Sequence, residues 1–299
     1  VSPLKSGVVG VVGRPNVGKS TLVNALVGQK VAIVSDVPQT TRTRIRGILN
    51  LPDAQVVFAD TPGFHKPRTR LGDRLNRVVG ESIADVDVLL MVVDGAAGVG
   101  RGDGFVYRRQ VASLRMPKIL VLNKIDRMPH EKIVKQLAAA QALGDFDEIL
   151  PVSAKAGTGM DELRELILAR LPEGPALFPG GEVTDQTLEH RIGEIIREKA
   201  IHETREEIPH SIAVVIESIE PPEPDAEDGV TKISALVLVE RASQKGMVIG
   251  KGGAMLKTVG TRAREELEAL LGTRVYLELR VKVQREWQRD DAALTRLGY

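Results

Sequence analysis

Short, nearly all-apolar runs alternate with longer stretches whose apolar residues recur every three or four positions through the first half of the chain. The runs fall at residues 8–12, 55–59, 88–93, 119–122 and 148–152. Strands that are apolar on both faces must be covered on both faces, so this rhythm predicts a mostly parallel sheet with helices on either side, an α/β domain. Prolines and glycines break the rhythm over residues 171–181, as a connection does. The predicted organisation is a first domain over residues 1–172, a linker over 173–185 and a second domain over 186–299. In the second domain the order changes to a long helix at 186–205, strands at 211–220 and 230–241, a glycine-rich turn, a helix at 254–271, a strand at 274–283 and a short terminal helix. Residues 221–228, rich in acid and proline, predict a solvated hairpin tip. This second part is a small α+β domain.

Bulk properties narrow the picture only slightly. With 299 residues and 42% hydrophobic content the chain can fill two cores. A formal charge of +1 neither demands nor excludes a polyanionic partner. The absence of cysteine removes disulfides, thiolate zinc sites and cysteine nucleophiles, and it suits a reducing compartment such as the cytoplasm. The longest apolar run, 88–93, is far short of the roughly 20 residues a membrane span needs, and no secretory h-region is expected at the N-terminus. Any membrane contact is therefore expected to be peripheral. The opening Val1 fits either processing or a piece of a longer chain.

The candidate chemistry begins between the first strand and the first helix, where Gly13-Arg14-Pro15-Asn16-Val17-Gly18-Lys19-Ser20 fits G-x-x-x-x-G-K-[ST]. Glycines let successive N–H groups turn inward around phosphates, and the helix N-terminus beginning near Thr21 adds positive potential. Lys19 is expected to reach the β- and γ-phosphates and Ser20 to ligate Mg²⁺. A P-loop leaves ATP or GTP open. Asn123-Lys124-Ile125-Asp126, just after an apolar strand, is the N-K-x-D pattern of GTPases. Asp126 can accept from N1–H and the exocyclic amine of guanine, a donor pair adenine lacks, so a site built on those bonds rejects adenine strongly. Asn123 and Lys124 are expected to orient the loop and cover the base plane. Ser153-Ala154-Lys155 follows the next strand, with the Ala154 N–H available to guanine O6.

Asp60-Thr61-Pro62-Gly63 fits D-x-x-G, which predicts Asp60 holding Mg²⁺ through water and the Gly63 N–H meeting the γ-phosphate. Thr41, with Thr40 as the alternative, is expected to close over Mg²⁺ when a γ-phosphate is present. Lys19, Thr41 and Gly63 are thus the candidate catalytic residues, and Ser20, Thr41 and Asp60 the candidate metal ligands. Loops that touch only the triphosphate form an order–disorder switch. Phe64 stands where Ras-type GTPases carry the glutamine that orients water, so intrinsic turnover is expected to be slow. Asn16 is similar to a residue of potassium-dependent GTPases that helps K⁺ sit beside the phosphates, although it can equally stabilise the loop by hydrogen bonding to backbone.

In the second domain Gly250-Lys251-Gly252-Gly253, preceded by Ile249, is a G-x-x-G turn before a helix, the device by which a KH domain clamps a single-stranded backbone. From 241 to 264 the charged residues are Arg241, Lys245, Lys251, Lys257, Arg262 and Arg264, with no acid among them, an electrostatic footprint for phosphate. Ile249, Gly250, Lys251, Gly252, Gly253 and Lys257 are the candidate RNA contacts. Trp287 and Tyr276 are expected to pack rather than stack on bases. Arg101-Gly102-Asp103 reads as an exposed loop, and none of His65, His130, His190, His202 or His210 has metal-ligand spacing.

A P-loop GTPase domain followed by Val248-Ile249-Gly250-Lys251-Gly252-Gly253-Ala254-Met255-Leu256-Lys257-Thr258-Val259-Gly260 closely resembles the bacterial Era family. Gln39-Thr40-Thr41-Arg42, Val239-Glu240-Arg241, Gln244-Lys245 and the ending Leu297-Gly298-Tyr299 are similar too, while Leu256 departs where isoleucine is frequent. The resemblance implies an α/β P-loop GTPase domain followed by an α+β type II KH domain, using GTP/GDP and Mg²⁺. It further implies single-stranded RNA binding near the 3′ end of small-subunit (16S) ribosomal RNA, assistance to 30S subunit assembly and peripheral contact with the inner membrane. No DNA partner is expected, and a monomer is. Two alternatives compete: a signalling switch whose C-terminal domain is a protein or membrane adaptor, and a tRNA-modification or ribosome-interface GTPase, against which the KH-like domain argues.

Overall fold

The computed structural model describes residues 4–37, 40–64, 69–83, 85–204, 208–222 and 229–299. Gln39, His65, Arg205 and most of the expected hairpin tip (223–228) lie outside the described residues. The chain divides into two compact units, with the division after Asp185.

The first unit is a six-stranded sheet in the order β2-β3-β1-β4-β5-β6. Strands β1 (Lys5–Val12), β3 (Ala54–Asp60), β4 (Val88–Asp94), β5 (Lys118–Asn123) and β6 (Glu148–Pro151) are parallel. In β4 the side chains alternate between the two layers: Val88, Leu90 and Val92 join the core under α1 (Lys19–Val27) and α5 (Met160–Arg170). Leu89, Met91 and Val93 face the opposite layer, with α2 (Arg70–Ser82), α3 (Arg101–Val106) and α4 (His130–Gln141). Period-two alternation between two apolar layers is why the strand reads as one unbroken apolar run. The parallel strands end together, and the loops at residues 13–20, 60–63, 123–126 and 153–155 gather at that edge, where ligands of open α/β sheets bind.

Two features of this unit differ from the sequence reading. Strand β2 (Ile45–Asn50) is an antiparallel edge strand paired with β3; Arg46, Gly47 and Asn50 interrupt its apolar pattern, although Ile45 and Ile48 are buried. Arg101-Gly102-Asp103 is no exposed loop but the first turn of α3, with Asp103 1% exposed. Residues 173–185 run against this unit as a strap. Gln55, itself buried, accepts from the N–H groups of Leu177 and Phe178 at 2.7 and 2.9 Å and donates to the Phe178 carbonyl at 2.9 Å. Ser6 Oγ donates to the Pro175 carbonyl at 2.5 Å, Ile48 N to the Val183 carbonyl at 2.9 Å, and Arg46 pairs with Asp185 at 3.1 Å.

The second unit runs α6 (Leu188–Glu203), α7 (Ile208–Ser211), β7 (Ala213–Glu220), β8 (Val230–Val239), α8 (Ala242–Ile249), α9 (Ala254–Leu271), β9 (Arg274–Val283) and α10 (Asp291–Arg296). β7 and β8 are antiparallel, β8 and β9 parallel. Ile192, Ile196, Val237, Val259, Ala263 and Leu267 fill a core between helices and sheet. The helix α8 escaped the sequence reading because it is short and holds Gly246. Its start is fixed instead by Gln244, whose Oε1 accepts from Glu240 N and Arg241 N at 3.0 Å each while Nε2 donates to Ser211 Oγ at 3.1 Å. Trp287 packs as expected, fully buried with its indole N–H donating to the Ser211 carbonyl at 3.0 Å. Tyr276 does not: it is 61% exposed, because the even positions of β9 point away from the core, as does its exposed partner Lys232 on the central strand β8.

Candidate functional site

The strand β1 ends at Val12, and the chain turns through 13–18 before α1 begins at Lys19. Gly18 adopts φ +97°, and a Cβ there would lie 2.3 Å from Asn123 Nδ2, so this close approach requires glycine. Asn123 is the joint between loops: its Nδ2 donates to the Val17 carbonyl at 3.0 Å and its Oδ1 accepts from Ala154 N at 3.1 Å. The N–H expected to await guanine O6 therefore already serves Asn123, and a base oxygen would share or take that donor. Ser153 Oγ donates to Asp126 Oδ1 at 2.6 Å and so fixes the carboxylate that the sequence reading assigned to the base edge. Lys124, at φ +68°, donates through Nζ to the Asn16 carbonyl at 2.6 Å and to Asp94 Oδ2 at 2.7 Å.

These loops enclose a cleft of about 340 Å³ lined by Pro15, Asn16, Gly18, Lys19, Ser20 and Thr21 on one side and by Asn123, Lys124, Asp126, Ala154 and Lys155 on another. Thr41 and Gly63 complete the wall. Gly63 lies against the P-loop so closely that a Cβ would come within 2.6 Å of the Pro15 backbone. Gly13, Arg14, Val17, Thr61 and Pro62 stand behind the wall: Val17 is buried in the core, Thr61 Oγ1 donates to the Val11 carbonyl at 2.7 Å, and Arg14 Nε donates to Asp103 Oδ1 at 2.8 Å. The backbone of these residues shapes the loop, while their side chains serve the scaffold.

At the phosphate end, Lys19 is 6% exposed and folds its ammonium onto the carbonyls of Gly13 at 3.2 Å and Arg14 at 3.0 Å. Burial lowers its pKa from 10.5 to about 8, partly offset by the Asp60 charge. Burial likewise raises Asp60, opposed by the Lys19 charge and by hydrogen bonds from Ser20, the Thr61 backbone and Thr41. Ser20 Oγ donates to Asp60 Oδ2 at 2.7 Å and lies 3.0 Å from Thr41 Oγ1. Thr40 instead donates its hydroxyl to the Val37 carbonyl at 2.7 Å. Asp60 Oδ1 is buried without a hydrogen-bond partner in normal geometry. A buried carboxylate oxygen in that condition, beside two hydroxyls and an ammonium, fits a hard cation with oxygen ligands such as Mg²⁺. Among the described residues no cluster of three His, Cys, Asp or Glu side chains offers another metal site.

Asn16 adopts φ +63° and donates through Nδ2 to the Asp36 carbonyl at 2.5 Å, tying the P-loop to the segment that leads to Thr41. Phe64 turns away from chemistry. Its ring stacks on Phe105 with centroids 5.7 Å apart, and it joins the apolar layer under α3.

In the second unit Gly250 (φ +74°), Gly252 (φ +61°) and Gly253 (φ +83°) form the turn between α8 and α9. A Cβ on Gly250 would strike Met255 at 2.7 Å, whereas one on Gly252 would meet nothing within 4 Å, so Gly252 faces open space. Beside the turn lies a groove of about 440 Å³ lined by Gly253, Leu256, Lys257, Gly260 and Arg264 of α9 and by Val275, Tyr276, Leu277 and Leu279 of β9. Lys257 is brought into this groove, and Tyr276, missed as a site residue by the sequence reading, lines it too. Ile249 is only partly buried at the end of α8, and Lys251 is exposed on the turn.

Comparison with known proteins agrees with this geometry. Residues 8–124 match the family model described as 50S ribosome-binding GTPase, and residues 207–288 match that of the KH domain. The chain is 46% identical to GTPase Era of Heliobacterium modesticaldum, over 99% of this chain and 97% of the relative. It is 48% identical to GTPase Era of Mycolicibacterium smegmatis over the full length of both. A crystal structure of Era in complex with MgGDPNP and nucleotides 1506–1542 of 16S ribosomal RNA superposes with a TM-score of 0.93 at 41% identity, covering 99% of each chain. A single-residue variant of Aquifex aeolicus Era bound to GDP·AlF4⁻ gives 0.94, also at 41% identity and 99% coverage. With both modules in the same order and identity near one half along the whole length, the chain belongs to the GTPase Era family.

Proposed function

We propose that this chain is a GTP-hydrolysing switch that binds single-stranded RNA near the 3′ end of 16S ribosomal RNA and assists 30S subunit assembly. The observation that carries the reading is the pairing, in one chain, of a guanine-reading cleft built on Asp126 and Ser153 with a glycine turn that opens onto a groove. In the cleft, Lys19 is released from the P-loop carbonyls to the β- and γ-phosphates. Ser20, Thr41 and Asp60 hold Mg²⁺, which when bound neutralises charge on the phosphate oxygens. Loss of the γ-phosphate frees Thr41 and Gly63, and the loops that carry them relax. With Phe64 packed on Phe105, no side chain at that position orients water, so unassisted turnover is slow. Asn16 helps to seat K⁺ beside the phosphates; hydrolysis equal in KCl and NaCl would count against that role.

The first unit matches a model described by the 50S subunit, but over residues 8–124 alone. Whole-chain likeness to Era bound to a 16S segment supports the small subunit as partner. That partner supports a cytoplasmic protein. No helix among the described residues is long and apolar enough to cross a membrane, and peripheral contact with the inner membrane rests on the family alone.

The test is binding to a single-stranded oligonucleotide that matches the small-subunit RNA 3′ end, compared between the protein and Gly252→Asp. The open space at Gly252 leaves room for the new side chain, and Asp tolerates the left-handed backbone there (φ +61°) at a cost of about 1–2 kcal/mol, so the variant's Tm and GTP affinity are measured beside its binding while a carboxylate meets the RNA backbone. Binding that weakens steeply with salt and falls at least ~10-fold in the variant is expected. No binding by the intact protein, with GTP affinity normal, would return the C-terminal unit to an adaptor role.

A further inference from the structure

The segment after β4 carries a charge asymmetry that the nucleotide cleft does not use. Between residues 95 and 117 the basic residues are Arg101, Arg108, Arg109 and Arg115, and the one acid is Asp103. Asp103 is 1% exposed and engaged internally, by Arg14 Nε at 2.8 Å and by Gly100 N at 2.9 Å. All four arginines are exposed. Arg46, Arg164 and Arg170 of the same unit reach carboxylates, but these four make no hydrogen bond or ion pair among the described residues.

Two of the four stand in a distorted helical turn. Beyond Val106 the helix continues as a π-turn, Tyr107–Val111, closed by Ala112 N to the Tyr107 carbonyl at 2.9 Å. Arg108 and Arg109 stand next to each other inside this turn, and both face solvent. The distortion is braced: Tyr107 OH accepts from Asp145 N at 2.9 Å, and the Tyr107 ring lies 5.3 Å from that of Phe146. At Gly144 a Cβ would come within 2.0 Å of the Tyr107 ring. The Arg109 guanidinium lies 6.0 Å from the Phe105 ring. Such π-turns are rare and are frequent at functional sites.

We propose that this exposed arginine segment of the first unit grips the phosphate backbone of duplex RNA. Guanidinium forks match phosphate oxygens two by two. Arg101 and Arg108, seven residues apart, lie about 10 Å apart along the axis, a few phosphate steps of a nucleic-acid strand. Among the described residues of this unit the exposed large hydrophobic side chains are Val134 and Leu177, neither in the segment, whereas a helix lying on a membrane needs apolar side chains on its buried face. The segment adds a sequence-independent contact, remote in the chain from the glycine turn, and it rests on the reading of the protein as an RNA binder.

The experiment uses the full chain, a blunt RNA duplex of about 20 base pairs and a salt titration. Arg108→Ala with Arg109→Ala is expected to weaken duplex binding at least ~10-fold and to flatten the salt slope by about one per arginine. GTP affinity, Tm and binding of the single-stranded oligonucleotide stay unchanged. Gly252→Asp does the reverse, losing the single strand and keeping the duplex, so the two RNA contacts fail or succeed separately. Arg101→Ala with Arg115→Ala gives the same direction in a variant that leaves the π-turn untouched. Duplex affinity and slope unchanged in both double variants overturn the proposal. So does loss of binding to phosphatidylglycerol vesicles in place of the duplex, which would assign the segment to a membrane.

Discussion

Lys19 and Asp60 share a buried site whose charges are stabilised fully only by a ligand. The Lys19 pKa of about 8 against 10.5 means that, between those values, the unfolded chain carries a proton the folded protein lacks. Stability of the nucleotide-free protein therefore rises with pH through that window. Asp60, raised by burial, acts in the opposite sense: its penalty appears as pH climbs through its folded pKa. A polyphosphate beside Lys19 restores its charge, so nucleotide binding at pH 8–9 takes up protons. Calorimetry in buffers of different ionisation enthalpy should show this uptake, and an enthalpy independent of buffer would contradict it. At the other end of the cleft, Asp126→Asn places a donor against the donors of guanine. GTP affinity should fall at least ~100-fold, about 2.7 kcal/mol, in a fluorescent-nucleotide titration; a fall below ~3-fold would mean the base is read elsewhere. These residues were legible in the sequence because phosphate and base chemistry fixes both residue type and spacing. Thr41 was already preferred to Thr40 from the sequence, and it is Thr41 whose hydroxyl lies beside Ser20 while Thr40 turns to the Val37 carbonyl; Tyr276 could not be found from the chain because its exposure depends on which face of the second sheet the helices leave open.

Among the described strands β2 alone did not announce itself, whereas the edge strands β6, β7 and β9 were read from their own apolar patterns. The strand β2 is stabilised by pairing with β3 and by the strap, with only half its side chains buried, so its pattern is weak. The strap itself reads as a tether because prolines and glycines dominate it, yet Gln55 gives it three hydrogen bonds from a buried position. Gln55→Leu keeps the volume and removes those bonds, leaving the N–H groups of Leu177 and Phe178 without that acceptor. A loss of ~2–4 kcal/mol in urea unfolding is expected, with faster cleavage at Glu182 by a glutamate-specific protease. Wild-type stability and cleavage rate would show that the strap is held by its other contacts alone. Because β2 follows directly on the Thr41 loop, the same seam ties the chain leading to the second unit to the segment that responds to the γ-phosphate.

For the whole molecule, the proposed function is a coupling, in which one site would choose guanine and register the γ-phosphate while the other holds RNA. The two-domain order, the P-loop and the G-x-x-G turn were all readable from composition shifts and glycine spacing, since each demands backbone conformations that few residues permit. The strap was not readable, because what holds residues 173–185 to the first unit is a set of hydrogen bonds between their backbone and residues far away in sequence, which leave no local signature. The direct measurement is the affinity of the full chain for the single-stranded 3′-end oligonucleotide with a non-hydrolysable GTP analogue, with GDP and without nucleotide, at one salt concentration. A coupling of about 1–3 kcal/mol, seen as a 5- to 150-fold difference between the GTP-analogue and GDP states and mirrored by an equal effect of RNA on nucleotide affinity, is the predicted result. Equal RNA affinity in all three states would contradict it, leaving two functional modules on one chain with no switch between them.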